Sequence, residues 1–122
     1  AEAAAPFACS DETLTRVWRA AHRTMQLCMD DVFVDCPLYE QTLWVGDARN
    51  LQAYALAAYG ARDISRRSLR LAADSLRRLP MIGSQVPSGW DTIIPVWSFL
   101  WGMAVWEYYD YSGERDALEE FW

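Results

Sequence analysis

Lysine is absent from this chain: all 11 of its basic residues are arginine. A Walker-type phosphate loop, a Schiff base and a lysine nucleophile are excluded together, and most phosphoryl-transfer chemistry goes with them. Histidine is nearly absent, His22 being the single one, and the three cysteines, Cys9, Cys28 and Cys36, form no Cys-x-x-Cys pair. That spacing argues against a zinc site, and the odd count argues against a secreted disulfide framework. No motif asks for a cofactor. Long apolar runs are missing too. The longest, residues 93–106, spans about 14 positions broken by Pro95, Ser98 and Gly102, where a membrane span needs roughly 20. It reads as a buried helix, and no membrane partner is expected. The start AEAAAPFACS lacks a basic n-region, so no signal peptide is visible; the want of an initiator Met suggests a fragment or a processed chain. With unpaired cysteines, this favours a cytoplasmic setting.

What the chain has in abundance is flat rings: seven Trp, six Tyr and four Phe among 122 residues, at a mean hydropathy of only −0.12. Rings of this kind fill helical cores, or they stack on the apolar faces of sugars in a cleft. Acidic residues outnumber basic ones, 17 to 11, for a net charge of −6, and one small soluble unit is expected.

The periodicity predicts an all-α chain. From Ser10 as N-cap, Leu14, Val17, Trp18, Ala21, Met25 and Cys28 recur at helical spacing, ending near Met29. Residues 30–46 carry no helical period and form a long connection. A second helix, capped by Asp47, runs to Gly60, a natural C′ residue. A third, capped by Asp63, runs to Pro80 and carries Arg62, Arg66, Arg67, Arg70, Arg77 and Arg78 on its outer face. With no interleaved aromatics, this stripe reads as a solvated face, and no nucleic-acid partner is expected. A second long connection, residues 80–95, leads into an aromatic fourth helix from Pro95 to Ser112, and a fifth begins near Glu114. Long and short connections alternate, so both long ones fall on one rim of a helical-hairpin array, the layout of α/α toroids.

The first long connection holds Asp35, Glu40 and Asp47, with Trp44 between the last two. An acid-only cluster with no paired nucleophile suits chemistry at an acetal, one carboxyl protonating a leaving oxygen while others hold hydroxyls. Each acid taken singly also reads as a loop or helix cap. In the second connection, Trp90 and Asp91 are the next candidates for a cleft wall. His22 reads as a packing residue, Cys36 as a loop-packing thiol, and Trp97, Trp101 and Trp106 as core.

Read together, DVFVDCPLYEQTLWVGDAR resembles the acidic signature of bacterial α-L-rhamnosidases: Asp-Cys-Pro, a short spacer, Glu, then Trp-x-Gly-Asp, with Asp47 seven residues after Glu40. VPSGWDTIIPVWSFLW and YYDYSGE resemble the family's following segments, so the likeness runs from about Thr13 onward. The resemblance implies part of an (α/α)6 six-hairpin toroid that hydrolyses terminal α-L-rhamnose from glycosides with inversion. It implies Glu40 as general acid, Asp35 and Asp47 as hydroxyl ligands and Trp44 as pocket wall. Its general base lies beyond these 122 residues, so the rest of the domain is an implied partner alongside the rhamnoside. Two other classes remain open on the residues alone: a helical carbohydrate- or partner-binding module without a base, and an all-α interaction domain acting through the aromatic fourth helix.

Overall fold

The computed structural model describes residues 6–121. Five helices follow in order: α1 (Glu12–Cys28), α2 (Val45–Tyr59), α3 (Arg62–Asp74), α4 (Pro95–Ser112) and α5 (Arg115–Phe121). Two two-residue strands, β1 (Leu43–Trp44) and β2 (Gln85–Val86), pair antiparallel with Leu43 opposite Val86 and Trp44 opposite Gln85. The architecture is the expected all-α one, and this small ladder ties the two long connections at one end of the array. Val45 N–H extends the tie by bonding Ser84 O at 2.9 Å.

The starts of the first three helices differ from those expected, while α4 begins at Pro95 as expected. Asp11, not Ser10, caps α1, its carboxylate accepting from Thr13 N at 2.7 Å and Leu14 N at 3.2 Å. An ionised oxygen one residue nearer the helix outcompetes a hydroxyl for the same amides. Asp47 does not cap α2: Trp44 occupies that position with extended backbone and no side-chain cap bond, leaving Asp47 in the first turn. The ladder fixes this, because β1 delivers the chain to Val45 already paired. Ala61, not Asp63, precedes α3. That helix stops at Asp74 rather than Pro80, giving way to a 3-10 turn over Ser75–Arg77. Ser75 is the cause: its hydroxyl donates back to Ala72 O at 2.6 Å and accepts from Gly83 N at 2.9 Å, pinning the second connection to the helix end.

Glycines close both short turns, Gly60 at φ 60° and Gly113 at φ 71°, a left-handed geometry that costs side-chain-bearing residues energy. The hairpins α2–α3 and α4–α5 result. One apolar cluster joins Met25, Cys28, Phe33, Leu43, Val45 and Ala55 under the connections. A second joins Leu56, Leu69, Ala104, Val105, Tyr108 and Ala117 between the hairpins. Polar ties register them: Gln52 Nε2 donates to Ala104 O at 2.8 Å, Trp101 Nε1 to Leu69 O at 3.1 Å, and Arg49 grips Glu107 with two nitrogens.

The arginine stripe of α3 is not simply solvated. Arg66 reaches Asp116 and Glu120 at 2.8 Å, Arg70 reaches Glu120 at 2.7 Å and Arg62 reaches Glu114 at 3.3 Å, so α5 docks on it. Arg67, Arg77 and Arg78 pair with Asp31, Asp74 and Asp91. His22 stacks on Tyr59 with ring centroids 4.7 Å apart. The run over residues 93–106 is helical from Pro95 onward but only half buried: Val96, Phe99, Met103 and Trp106 are exposed. Among the described residues no helix is long and apolar enough to cross a membrane.

Candidate functional site

The site forms where the two long connections meet, at the N-terminal ends of α2 and α4. The first connection folds on itself: Asp35 N–H bonds Thr42 O at 3.2 Å, and Gln41 N–H bonds Cys36 O at 2.9 Å. Gln41 takes φ 50°, the one non-glycine residue with positive φ among those described. Its side-chain amide donates to Pro37 O at 3.0 Å, holding the reversal that presents Glu40. β1 then carries Trp44 to the same edge. Its indole Nε1 donates to Glu40 Oε2 at 2.6 Å.

From the other side β2 and the loop after it supply Gln85, Pro87, Ser88 and Trp90, which with Glu40, Thr42 and Trp44 line one depression of about 420 Å³. Trp90 stands 70% exposed on its wall, its backbone N–H held by Ser88 Oγ at 2.9 Å. Gln85 is buried, and its Nε2 lies 3.5 Å from Thr92 Oγ1. The structure thus brings together Glu40, Trp44 and Trp90.

The remaining candidates are placed otherwise. Asp35 is half-buried just behind Glu40; its Oδ2 accepts from the Cys36 thiol at 3.0 Å, and its buried Oδ1 has no partner among the described residues. Asp47 is exposed in the first turn of α2 and does not line the depression. Asp91 is exposed too and is held by Arg78 at 3.2 Å, outside the lining. One oxygen each from Asp35 and Glu40 and the Cys36 sulfur lie within 4.8 Å of one another. The hydrogen bond to Asp35, then desolvation and the charges of Asp35 and Glu40, push the Cys36 thiol up. As placed, the Cys36 thiol proton is held on Asp35 Oδ2.

Gln85 and Ser88 escape sequence reasoning because two-residue strands carry no period. Trp97 escapes it for another reason, since helical spacing marks it as core. In the structure it meets Trp44 edge-on, centroids 5.5 Å apart at 85°, and covers Gly46.

A hairpin array with an acid and two indoles in a depression on one rim defines a helical-hairpin domain with an acidic cleft. The chain belongs to the bacterial α-L-rhamnosidase six-hairpin glycosidase domain family, whose model matches residues 2–122. It is similar to a GH78 family rhamnosidase of Bacillus sp. GL1, at 41% identity and a TM-score of 0.89 over 92% of this chain and 12% of that one. It shares its fold with a rhamnosidase from Klebsiella oxytoca solved with rhamnose bound, at 24% identity and a TM-score of 0.88 over all of this chain and 25% of that one. The chain therefore spans a quarter or less of the length of these relatives. No curated protein matches it.

Proposed function

We propose that the protein carrying this chain is a glycoside hydrolase that removes terminal α-L-rhamnose from glycosides with inversion, and that Glu40 is its general acid. The observation that carries the reading is the Trp44 indole N–H on Glu40 Oε2 at 2.6 Å, at the mouth of a depression walled by a second indole, Trp90. One carboxyl oxygen is held while the other stays open to a leaving oxygen, and a flat ring offers a stacking face for a sugar. Asp35 is proposed as a hydroxyl ligand on its nearness to the acid, one of its oxygens lying within 4.8 Å of a Glu40 oxygen. Asp35, Asp47 and Asp91 all lie outside the lining of the depression; Asp91 is in addition held by Arg78 at 3.2 Å, which makes it the weakest of the three.

Inversion requires a base about 6.5–9.5 Å from the acid, with room for water between them. Asp35 is too near, its oxygen lying within 4.8 Å of that of Glu40, and it is turned toward Cys36. The base then comes from outside this chain, as do the elements that cover α4, whose Phe99 is 72% and Trp106 57% exposed. The reading is tested on the full-length protein with an alkyl α-L-rhamnoside, following the released sugar by proton NMR. The expected first product is β-L-rhamnose, with release lost in Glu40→Gln. Release of the α-anomer contradicts inversion, and undiminished release by Glu40→Gln contradicts the acid.

A further inference from the structure

We propose that Trp97 is a positioning residue for the acid, holding the Trp44 indole in the orientation that puts its N–H on Glu40. The inference rests on the reading of Glu40 as general acid. Glu40 is exposed on a tight reversal, and among the described residues the Trp44 N–H is the one hydrogen-bond partner of its carboxylate. Whatever fixes the Trp44 ring therefore fixes the acid. The ladder with Gln85 fixes only the Trp44 backbone; its ring still needs a wall. Trp97, in the first turn of α4, supplies one by meeting it edge-on at 5.5 Å and 85°, a favoured aromatic geometry.

Trp97 is itself seated with little freedom. A Cβ added at Gly46 would lie 2.5 Å from its Cε2, 2.6 Å from its Nε1 and 2.8 Å from its Cδ2. Gly46 is not at positive φ, and glycine weakens a helix relative to alanine. Its place in α2 is thus accounted for by the close approach of the Trp97 ring. Gly46, Trp97, Trp44 and Glu40 form a continuous line of contacts in which α4 braces the acid of the first connection. Trp97 does not itself line the depression, and the hydrogen bond to the Glu40 carboxylate comes from Trp44; Trp97 acts through Trp44.

The test uses the full-length protein with Trp97→Leu, Trp97→Phe and Gly46→Ala. Turnover and KM are measured on α-L-rhamnosides with poor and very good leaving groups, and a crystal structure of one variant gives the Trp44–Glu40 distance. Trp97→Leu should lower kcat on the poor leaving group by roughly tenfold to a hundredfold, the effect of a small misplacement of a reacting group. KM should change little, and the activated substrate should suffer much less. Trp97→Phe should restore most of the loss, and Gly46→Ala should reproduce it by pushing the ring from below. If Trp97→Leu does not fold, the other two variants carry the test. Equal losses for both leaving groups, or a Trp44–Glu40 bond unchanged in the variant crystal, would overturn the proposal. Full activity of Glu40→Gln on the poor leaving group instead removes the acid reading, while the crystal distance still decides whether Trp97 holds Trp44.

Discussion

Trp44 illustrates how much one side chain carries here. It ends β1, precedes α2, lines the depression and donates to Glu40. Trp44→Phe keeps the ring and removes the donor, so in the full-length protein turnover should fall about tenfold, because a hydrogen bond that strengthens by about 1.5 kcal/mol as Glu40 gives up its proton is lost. Michaelis constants should move little, and an unchanged kcat would show that the bond is idle. The cysteines give a second check at this scale. Cys9 is exposed, Cys28 is buried, and Asp35 holds the Cys36 proton. Burial pushes the Cys28 thiol up, and the hydrogen bond pushes up that of Cys36. Raised values mean less thiolate at a given pH, so alkylation near pH 8 should label Cys9 first and Cys28 last, read by mass spectrometry. Fast labelling of Cys36 would mean that Asp35 does not hold its proton. Glu40 and Trp44 are legible in the sequence through the spacing of the Asp-Cys-Pro to Trp-x-Gly-Asp segment, and both line the depression. That Asp91 faces Arg78 is not legible, since an ion pair between residues 13 apart in sequence leaves no pattern.

At the scale of elements, α5 is only seven residues long and is held to α3 by charge. Arg70 first, then Arg66, keeps the Glu120 carboxyl below its ordinary 4.5, and Arg66 does the same for Asp116. Carboxyls held low in the folded state add stability above their unfolded values, and that contribution is lost as pH falls through the lowered ones. The dock should therefore loosen below pH 4.5, and exposure keeps the effect modest. Carbon-13 titration should find Glu120 below its ordinary value, and Arg70→Gln should raise it most of the way back, Arg66→Gln less; an ordinary titration in the parent would contradict the ion pairs. The helices themselves could be read from periodicity, and their C-termini from Gly60 and Gly113. Pro95 marks the start of α4, but the starts of α2 and α3 could not be read: Asp47 and Asp63 look like caps, yet a tertiary ladder and a tight turn decide where these helices begin. The end of α3 depends on Ser75 and Gly83, eight residues apart, a contact that exists only once the second connection has folded back.

For the whole molecule the open question is the outer face of α4. Val96, Phe99, Met103 and Trp106 recur at three- and four-residue steps and are all exposed, a stripe of the width that normally faces a core. Isolated residues 1–122 should accordingly associate or bind an apolar dye, and Phe99→Glu with Trp106→Glu should suppress both. A monomer without dye binding would show that the stripe needs no cover. The sequence marked this helix as buried because its composition suits a core, but composition does not say which chain segment supplies the other side. Glu40 is the centre of the proposed chemistry. The most direct measurement compares Glu40→Gln with the parent in the full-length protein across α-L-rhamnosides of graded leaving-group acidity. Loss of a proton donor should cost about 10² to 10⁴ in kcat on poor leaving groups and far less on the most acidic ones, which depart without a proton. Equal losses across the series would contradict the account, and a graded loss in Asp47→Asn instead would move the acid there.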